Sequence, residues 1–178
     1  MKSLKKSLLE FIPVFLGVVL ALFFNNINES RIEKNKINGL LTKIELGTEK
    51  KLKNLNIQLA QNQKVIDSLT YYLEDSDKRI TDILSKARGI RYIQFDLAAW
   101  SVLKSSELLV DVDYELVSLL YLLNESIDNS ETIDNPSLAF DRDTKSKVIS
   151  DLDDYLVEIN YRIDLCKRIQ EILASRNK

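Results

Sequence analysis

The chain lacks the residues on which most catalytic and metal sites depend. It has no histidine, one cysteine, two prolines and four glycines among 178 residues. Histidine is the commonest general base and metal ligand near neutral pH, and a single cysteine cannot form a disulfide within the chain. No glycine-rich phosphate loop or nucleophile elbow is present either. We therefore expect no catalytic residue, no metal site, no cofactor and no small-molecule substrate.

Neither sign of charge is in excess. The chain has 25 basic and 27 acidic residues, and 45% of its residues are hydrophobic. This composition argues against disorder, and the absence of a basic patch with interleaved aromatic residues argues against a nucleic-acid partner. Strand-type alternation and hairpin turns are also absent, so the sequence predicts an all-α fold.

The remaining candidates for chemistry have ordinary structural explanations. Cys166 lies on an apolar helical face, where a packed thiol is expected rather than a nucleophile. Two groups of carboxylates lack the glycine and the closing glutamate of a calcium loop and fall where helices begin. These carboxylates are Asp111, Asp113, Asp151, Asp153 and Asp154.

A membrane-spanning segment is the strongest feature that is present. Fourteen uncharged residues run from Phe11 to Phe24, which as a helix cover about 21 Å of a hydrocarbon core roughly 30 Å thick. Counted from Leu8 to Asn28, the helix is long enough to span. A cleaved signal peptide, a buried helix and an interfacial helix are the alternatives, but the small-residue cleavage site, the polar face and the charged face that they need are missing. We predict an N-terminal tail and transmembrane anchor over residues 1–28.

Small and polar residues form one stripe along this predicted span. Spacings of three and four place them on one side of a helix, where small side chains allow two helices to approach and asparagine can bond across the contact. The predicted transmembrane packing face consists of Glu10, Pro13, Gly17, Ala21, Asn25 and Asn28. Chance provides an alternative explanation, because such residues are common in membrane helices.

The basic residues that flank the span favour one orientation. Lys2, Lys5 and Lys6 crowd the short tail, and four basic residues follow the span at positions 31, 34, 36 and 43. The count is nearly even, but short tails influence topology more than long domains do. We expect the N-terminus inside and the C-terminal domain outside the cytoplasm.

The segment from Glu10 to Glu29 resembles a family of short bacterial single-span membrane proteins that carry a domain of unknown function. The shared pattern is E-x6-G-V-x2-A-L-x2-N-N-x-N-E, with Ile27 where that family usually has tryptophan. The resemblance implies an anchor in the bacterial inner membrane and adds no catalytic residue.

Residues 29–178 are predicted to form a helical bundle in which the anchor helix continues as a coiled-coil-like helix. Residues that are apolar except for Asn62 recur at alternating spacings of three and four in a seam of Leu52, Leu55, Leu59, Asn62, Ile66, Leu69 and Leu73. A four-four step from Thr48 to Leu52 indicates a stutter. The seam packs either within one chain or between chains, and we favour the former because two later apolar helices are available to cover it.

Those later helices are predicted on both sides of a loop. The first ends at Ser105 and Ser106, and Asp113 is expected to cap the next, from Tyr114 to Asn124. An exposed loop is predicted near residues 124–138. The last helix has a seam of Val148, Leu152, Tyr155, Ile159, Arg162, Cys166, Ile169 and Leu173, in which Ile163 is expected to replace Arg162.

These patterns indicate a non-catalytic, membrane-anchored interaction or scaffold protein that binds a protein partner or self-associates. The alternative is a membrane sensor or effector that transmits a packing change along the helix, for which the stutter near Thr48 is the favouring feature.

Overall fold

The structure is a computed structural model that describes residues 2–91, 97–128 and 142–176, with the side chains of residues 13–91, 97–126 and 144–176. Within these ranges the chain forms α-helices and one 3₁₀ helix, and no strand. The prediction of an all-α fold is confirmed. The helices are α1 (Lys2–Tyr71), α2 (Ile80–Lys86), α3 (Ala98–Lys104), the 3₁₀ helix η1 (Glu107–Asp111), α4 (Tyr114–Asp128) and α5 (Arg142–Ser175).

Helix α1 is unbroken over 70 residues, although Pro13 lies inside it. No other proline occurs in α1, and its glycines at 17, 39 and 47, the residues with the next poorest helix propensity, are each isolated. Backbone contacts divide the chain into two compact units, residues 1–40 and residues 41–178. The predicted anchor lies within the first unit.

The second unit is built around the apolar faces of α1, α4 and α5. Its core is made mainly of leucine and isoleucine side chains that are at most 1% exposed, including Ile44, Leu55, Leu69, Leu116, Leu120, Leu152, Ile159 and Ile169. Burying one such side chain stabilises the fold by about 1.5–3 kcal/mol relative to leaving it in water. The core therefore comes from three separate stretches of sequence, and it holds them together.

Helix α5 runs antiparallel to both α1 and α4. Near its start, Lys145 bonds to carbonyl groups just after the end of α1. Near its end, Arg168 lies 3.7 Å from Glu115 in the first turn of α4. The two neighbours of α5 are thus parallel to each other.

The ends of the short helices follow local sequence signals. The Asp113 carboxylate accepts the Leu116 N–H at 3.0 Å, so Asp113 caps α4 as predicted. Helix α3 ends at the serine pair, where Ser106 Oγ donates to the Leu103 carbonyl at 2.8 Å.

Helix α4 extends past its predicted end at Asn124 and reaches Asp128. The added turn has a partner in α5, because Arg162 donates to the Ser126 carbonyl. Most of the predicted loop, residues 129–138, lies outside the described residues.

Candidate functional site

The predicted transmembrane packing face is open along its described length. Pro13, Gly17, Ala21, Asn25 and Asn28 are all exposed, while the Glu10 side chain lies outside the described residues. A Cβ placed on Gly17 would meet nothing within 4 Å. Near the end of the face, Asn25 Nδ2 donates to Glu29 Oε1 at 2.9 Å, a bond within one helix. This face therefore has room for another helix.

The apolar residues around that face are exposed on every side of the helix. Large side chains from Val14 to Phe24 are between 44% and 65% exposed. One helix in the described residues, the part of α1 that begins at Pro13, is long and apolar enough to cross a membrane, and none of its most apolar window is buried. A core helix of a soluble domain would bury most of such a window.

The predicted seam of α1 is only partly buried. Leu55, Asn62, Ile66 and Leu69 are buried, whereas Leu52, Leu59 and Leu73 are half-buried. The buried positions that repeat at three and four are instead Ile44, Thr48, Lys51, Leu55, Gln58, Asn62, Val65 and Leu69. This series passes Thr48 without a four-four step, so the buried face has no stutter there.

Polar seam residues of α1 hold the segment that follows α2. Asn62 Oδ1 accepts the Arg91 N–H at 2.8 Å, and Asn62 Nδ2 donates to the Arg91 carbonyl at 3.2 Å. Gln58 Nε2 donates to the same carbonyl at 2.8 Å, and Gln61 donates to the carbonyls of Ala87 and Gly89. Asn62 thus has an ordinary partner within the chain, as the single-chain interpretation of the seam requires.

A second cluster of polar side chains links α1, α5 and α4. Gln58 Nε2 also bonds to the Tyr155 hydroxyl. Arg162, only 2% exposed, donates to the Ser126 carbonyl and lies 3.0 Å from Glu158. Burial raises the pKa of the Tyr155 hydroxyl, and the Arg162 charge opposes that rise. The hydroxyl therefore stays protonated near neutral pH.

Arg162 keeps its place in the seam of α5. We expected Ile163 to replace it, yet both residues are buried. The carbonyls in the last turn of a helix lack partners within that helix, and the guanidinium of Arg162 supplies one to α4.

Lys145 performs the same role for α1. Its side chain is fully buried, and Nζ donates to the Tyr72 carbonyl at 2.8 Å and to the Asp75 carbonyl. A cation at a helix C-terminus is favoured by the helix dipole as well as by these hydrogen bonds. Among its described side chains, α5 therefore carries two buried cations, each of which caps another helix.

Cys166 is a packed thiol in the structure. Its side chain is fully buried, and burial raises the pKa of the thiol to about 11, although the charge of Lys51 acts to lower it. A thiol with such a pKa is almost wholly protonated near pH 7 and is a poor nucleophile.

The described residues contain no group of three or more His, Cys, Asp or Glu side chains that could hold a metal ion. Asp113 serves as a helix cap, and Asp153 and Asp154 point outward from α5. Trp100 is fully buried and meets the Tyr121 ring edge to face at 4.9 Å, which makes it a core residue.

Sequence reasoning missed Lys51, Gln58 and Lys145, because the seams were chosen from apolar residues and these three polar side chains were passed over. The heptad spacing was the available signal: the three-four series through Leu55, Asn62 and Leu69 includes Gln58 once polarity is ignored.

Comparison with protein families, curated proteins and solved structures finds no match to this chain.

Proposed function

We propose that this protein is a non-catalytic interaction module held in the bacterial inner membrane by a single span, with the bundle of residues 41–178 outside the cytoplasm. One observation carries the proposal: the apolar side chains from Val14 to Phe24 are exposed on all sides of α1. In water, this surface would lose the stabilisation of about 25 cal/mol per Å² that apolar burial provides. In a bilayer, the same apolar surface contacts apolar lipid tails and carries no such penalty.

The residues that flank the apolar segment fit the two ends of a span. Lysines precede it, and the asparagines at 25, 26 and 28 follow it. Polar and basic side chains of this kind lie at the level of the lipid headgroups. The proposal includes the membrane and a protein partner, which is another protein or a second copy, and assigns no cofactor, substrate or nucleic acid.

Membrane extraction tests the anchor. We expect the full chain to stay in the membrane pellet after alkaline carbonate washing, and a Leu16→Lys/Leu20→Lys variant to be released. A matched variant with lysines at the exposed positions Val102 and Val110 controls for added charge. Release of the wild-type chain by carbonate, or an intact mass that lacks the first 28 residues, would contradict the proposed anchor.

Protease access tests the orientation. In spheroplasts of an expressing bacterium, a tag at the C-terminus should be digested without lysis, because the bundle lies outside. A tag that becomes accessible only after lysis would reverse the orientation and leave the anchor intact.

The stripe on the span is the proposed self-association face within the membrane. We expect Gly17→Leu to reduce chemical cross-linking in membranes, since a large side chain would separate the helices. Val18→Leu, off the stripe, is the control. Cross-linking of the Gly17→Leu variant at the wild-type level would show that the stripe is not an interface.

A further inference from the structure

Helices α1 and α5 each carry an outward stripe of two apolar or small residues between two charged ones. The basic stripe on α1 consists of Lys53, Ile57, Ala60 and Lys64, and the acidic stripe on α5 consists of Asp154, Val157, Tyr161 and Asp164. All eight residues are exposed, and the large apolar ones are 41% (Ile57), 69% (Val157) and 47% (Tyr161) exposed.

Each stripe lies opposite the buried seam of its own helix. The seam occupies the first and fourth places of each heptad, and the stripe occupies the third and sixth. Among the described residues, none of the four stripe charges forms an ion pair. Because the seams of α1 and α5 face the core, the stripes face outward and cannot cover each other.

The charges around the two stripes are of opposite sign over a long stretch. From residue 50 to residue 64, α1 has four lysines and no carboxylate; from residue 150 to residue 164, α5 has five carboxylates and only the buried Arg162 as a cation. Complementary charge of this extent guides the approach and the register of two surfaces.

The two stripes also lie at the same height along the bundle. Gln58 bonds to Tyr155, and Lys145 near the start of α5 bonds to the Tyr72 carbonyl just after α1. Since α1 and α5 are antiparallel, these contacts place the residues from Lys53 to Lys64 level with those from Asp164 to Asp154, within about one helical turn.

We propose that the partner for these stripes is a second copy of this chain, with the basic stripe of one copy packed antiparallel on the acidic stripe of the next. Lys53 then faces Asp164, and Lys64 faces Asp154. Between them, Ile57 meets Tyr161 and the small Ala60 meets Val157.

The proposed membrane anchor makes this contact effective. Two bundles that lie side by side in the same orientation present α1 of one copy antiparallel to α5 of its neighbour at equal height, as the pairing requires. The basic and acidic stripes each contain only four residues, so their contact is weak between freely diffusing chains. Confinement to one membrane raises the effective concentration of one copy around another. The contact joins the basic stripe of one copy to the acidic stripe of another, so any assembly still has one free stripe of each kind at its ends. Further copies can therefore add to form a row, or the ends can meet to form a ring.

Charge reversal tests the contact in full-length protein reconstituted in vesicles. Either Lys53→Glu/Lys64→Glu or Asp154→Lys/Asp164→Lys should weaken cross-linking by about tenfold, because like charges then face each other. Mixing the two variants should restore it, since each supplies the surface that the other lacks. Failure of the mixture to recover, with both variants still helical by circular dichroism, would overturn the proposal.

Disulfide trapping tests the register. An Ala60→Cys/Val157→Cys variant should form dimers and larger products on mild oxidation, because a disulfide needs Cβ atoms about 3.5–4.5 Å apart and the two sites face apart within one chain. Ala60→Cys/Glu171→Cys is the control: Glu171 lies in the same heptad place, about 21 Å further along α5. The wild-type chain, whose only cysteine is buried, is the blank.

Equal trapping in the two double-cysteine variants, or none in the first, would refute the proposed pairing. Carbonate extraction of the same variants separates this failure from failure of the anchor, because a variant that remains in the pellet without trapping is anchored but not paired.

Discussion

Replacing Asn62 by alanine is predicted to destabilise the bundle of a single chain. The fully buried Asn62 side chain holds the Arg91 backbone through two hydrogen bonds, an N–H to its Oδ1 at 2.8 Å and a bond from its Nδ2 to the carbonyl at 3.2 Å. Asn62→Ala removes both bonds and adds no group that can replace them.

The two bonds contribute unequally. The Arg91 N–H loses its side-chain acceptor, and an unsatisfied polar group of this kind costs about 1–3 kcal/mol. The Arg91 carbonyl keeps the bond from Gln58 at 2.8 Å, so the second loss is closer to one ordinary hydrogen bond, about 0.5–1.5 kcal/mol. We expect a total loss of about 2–4 kcal/mol, which corresponds to a midpoint about 1–2 M lower in urea.

Urea unfolding followed by circular dichroism, in a mild detergent, measures this loss. Hydrogen exchange locates it, because the amides of residues 87–91 should exchange faster in Asn62→Ala than in the wild type. Asn62→Asp is the matched control: it keeps the shape and the acceptor for the Arg91 N–H.

The control adds a dependence on pH whose sign is fixed. Burial raises the folded-state pKa of the introduced carboxyl above its unfolded value near 3.9. The protonated form can also donate to the Arg91 carbonyl, so Asn62→Asp should lose least stability below about pH 4 and lose more as the pH rises. Asn62→Ala should show no such dependence.

An unchanged urea midpoint in Asn62→Ala, together with a changed oligomeric mass, would refute this reasoning. That result is expected of an asparagine that sets the register of a seam between chains, where its removal alters oligomer choice and relieves a cost in stability.

Three further changes have expected outcomes. Arg88 has a left-handed backbone (φ 69°) just after α2, so Arg88→Gly should raise stability by about 0.5–1 kcal/mol while Arg88→Ala should not. Thermal unfolding of both variants measures the difference. Equal stabilities would show that the backbone at this position is not strained. Because burial raises the pKa of Cys166 to about 11, the stability that the protonated thiol contributes should be lost as the pH rises from about 9 to 11. A thiol reagent should label Cys166 at pH 8 only in denaturant. Rapid labelling of the native chain would show that the thiol is not buried. Asp113→Ala should cost about 1 kcal/mol through loss of the bond to the Leu116 N–H, Asp113→Asn should cost less, and equal melting temperatures for all three chains would show that the cap contributes nothing.

The helices α1, α4 and α5 were predicted well because apolar spacing and capping residues act locally, whereas the short α2 and η1 were not predicted. The cap at Asp113 and the end of α3 at Ser105 follow from side chains within four residues of the atoms they bond. The seven seam residues of α5 other than Arg162 and the expected replacement Ile163 are all buried, and Arg162 is buried as well. Spacing of this kind depends only on the helix period.

The seam of α1 was predicted less well, because four of its buried positions are polar and two of these, Lys51 and Gln58, were not predicted. A seam chosen from apolar residues alone includes Leu52 and Leu59. Each of them directly follows the residue that is buried instead, Lys51 or Gln58. Burial of Gln58 depends on the Arg91 carbonyl and the Tyr155 hydroxyl, which lie 33 and 97 residues away. No local pattern reveals partners at that distance, and the same is true of Lys145, whose acceptors lie at the end of α1.

The hydrogen-bond partners of the polar seam residues also affect how copies of the protein can associate. A seam that holds Gln58 and Asn62 against the same chain is already occupied, so it cannot also serve as a contact between copies. Association would then depend on surfaces that the bundle leaves open, such as the proposed outward stripes and the small-residue face of the proposed span. The charges on the stripes add a dependence on salt that an apolar seam would lack, because contacts between exposed charges weaken as ionic strength rises. Trapping of the Ala60→Cys/Val157→Cys variant should therefore fall between 0.05 M and 0.5 M salt, whereas the effect of Gly17→Leu within the membrane should not change. A trapping yield that is independent of salt would mean that Lys53, Lys64 and their acidic counterparts do not contribute to the contact.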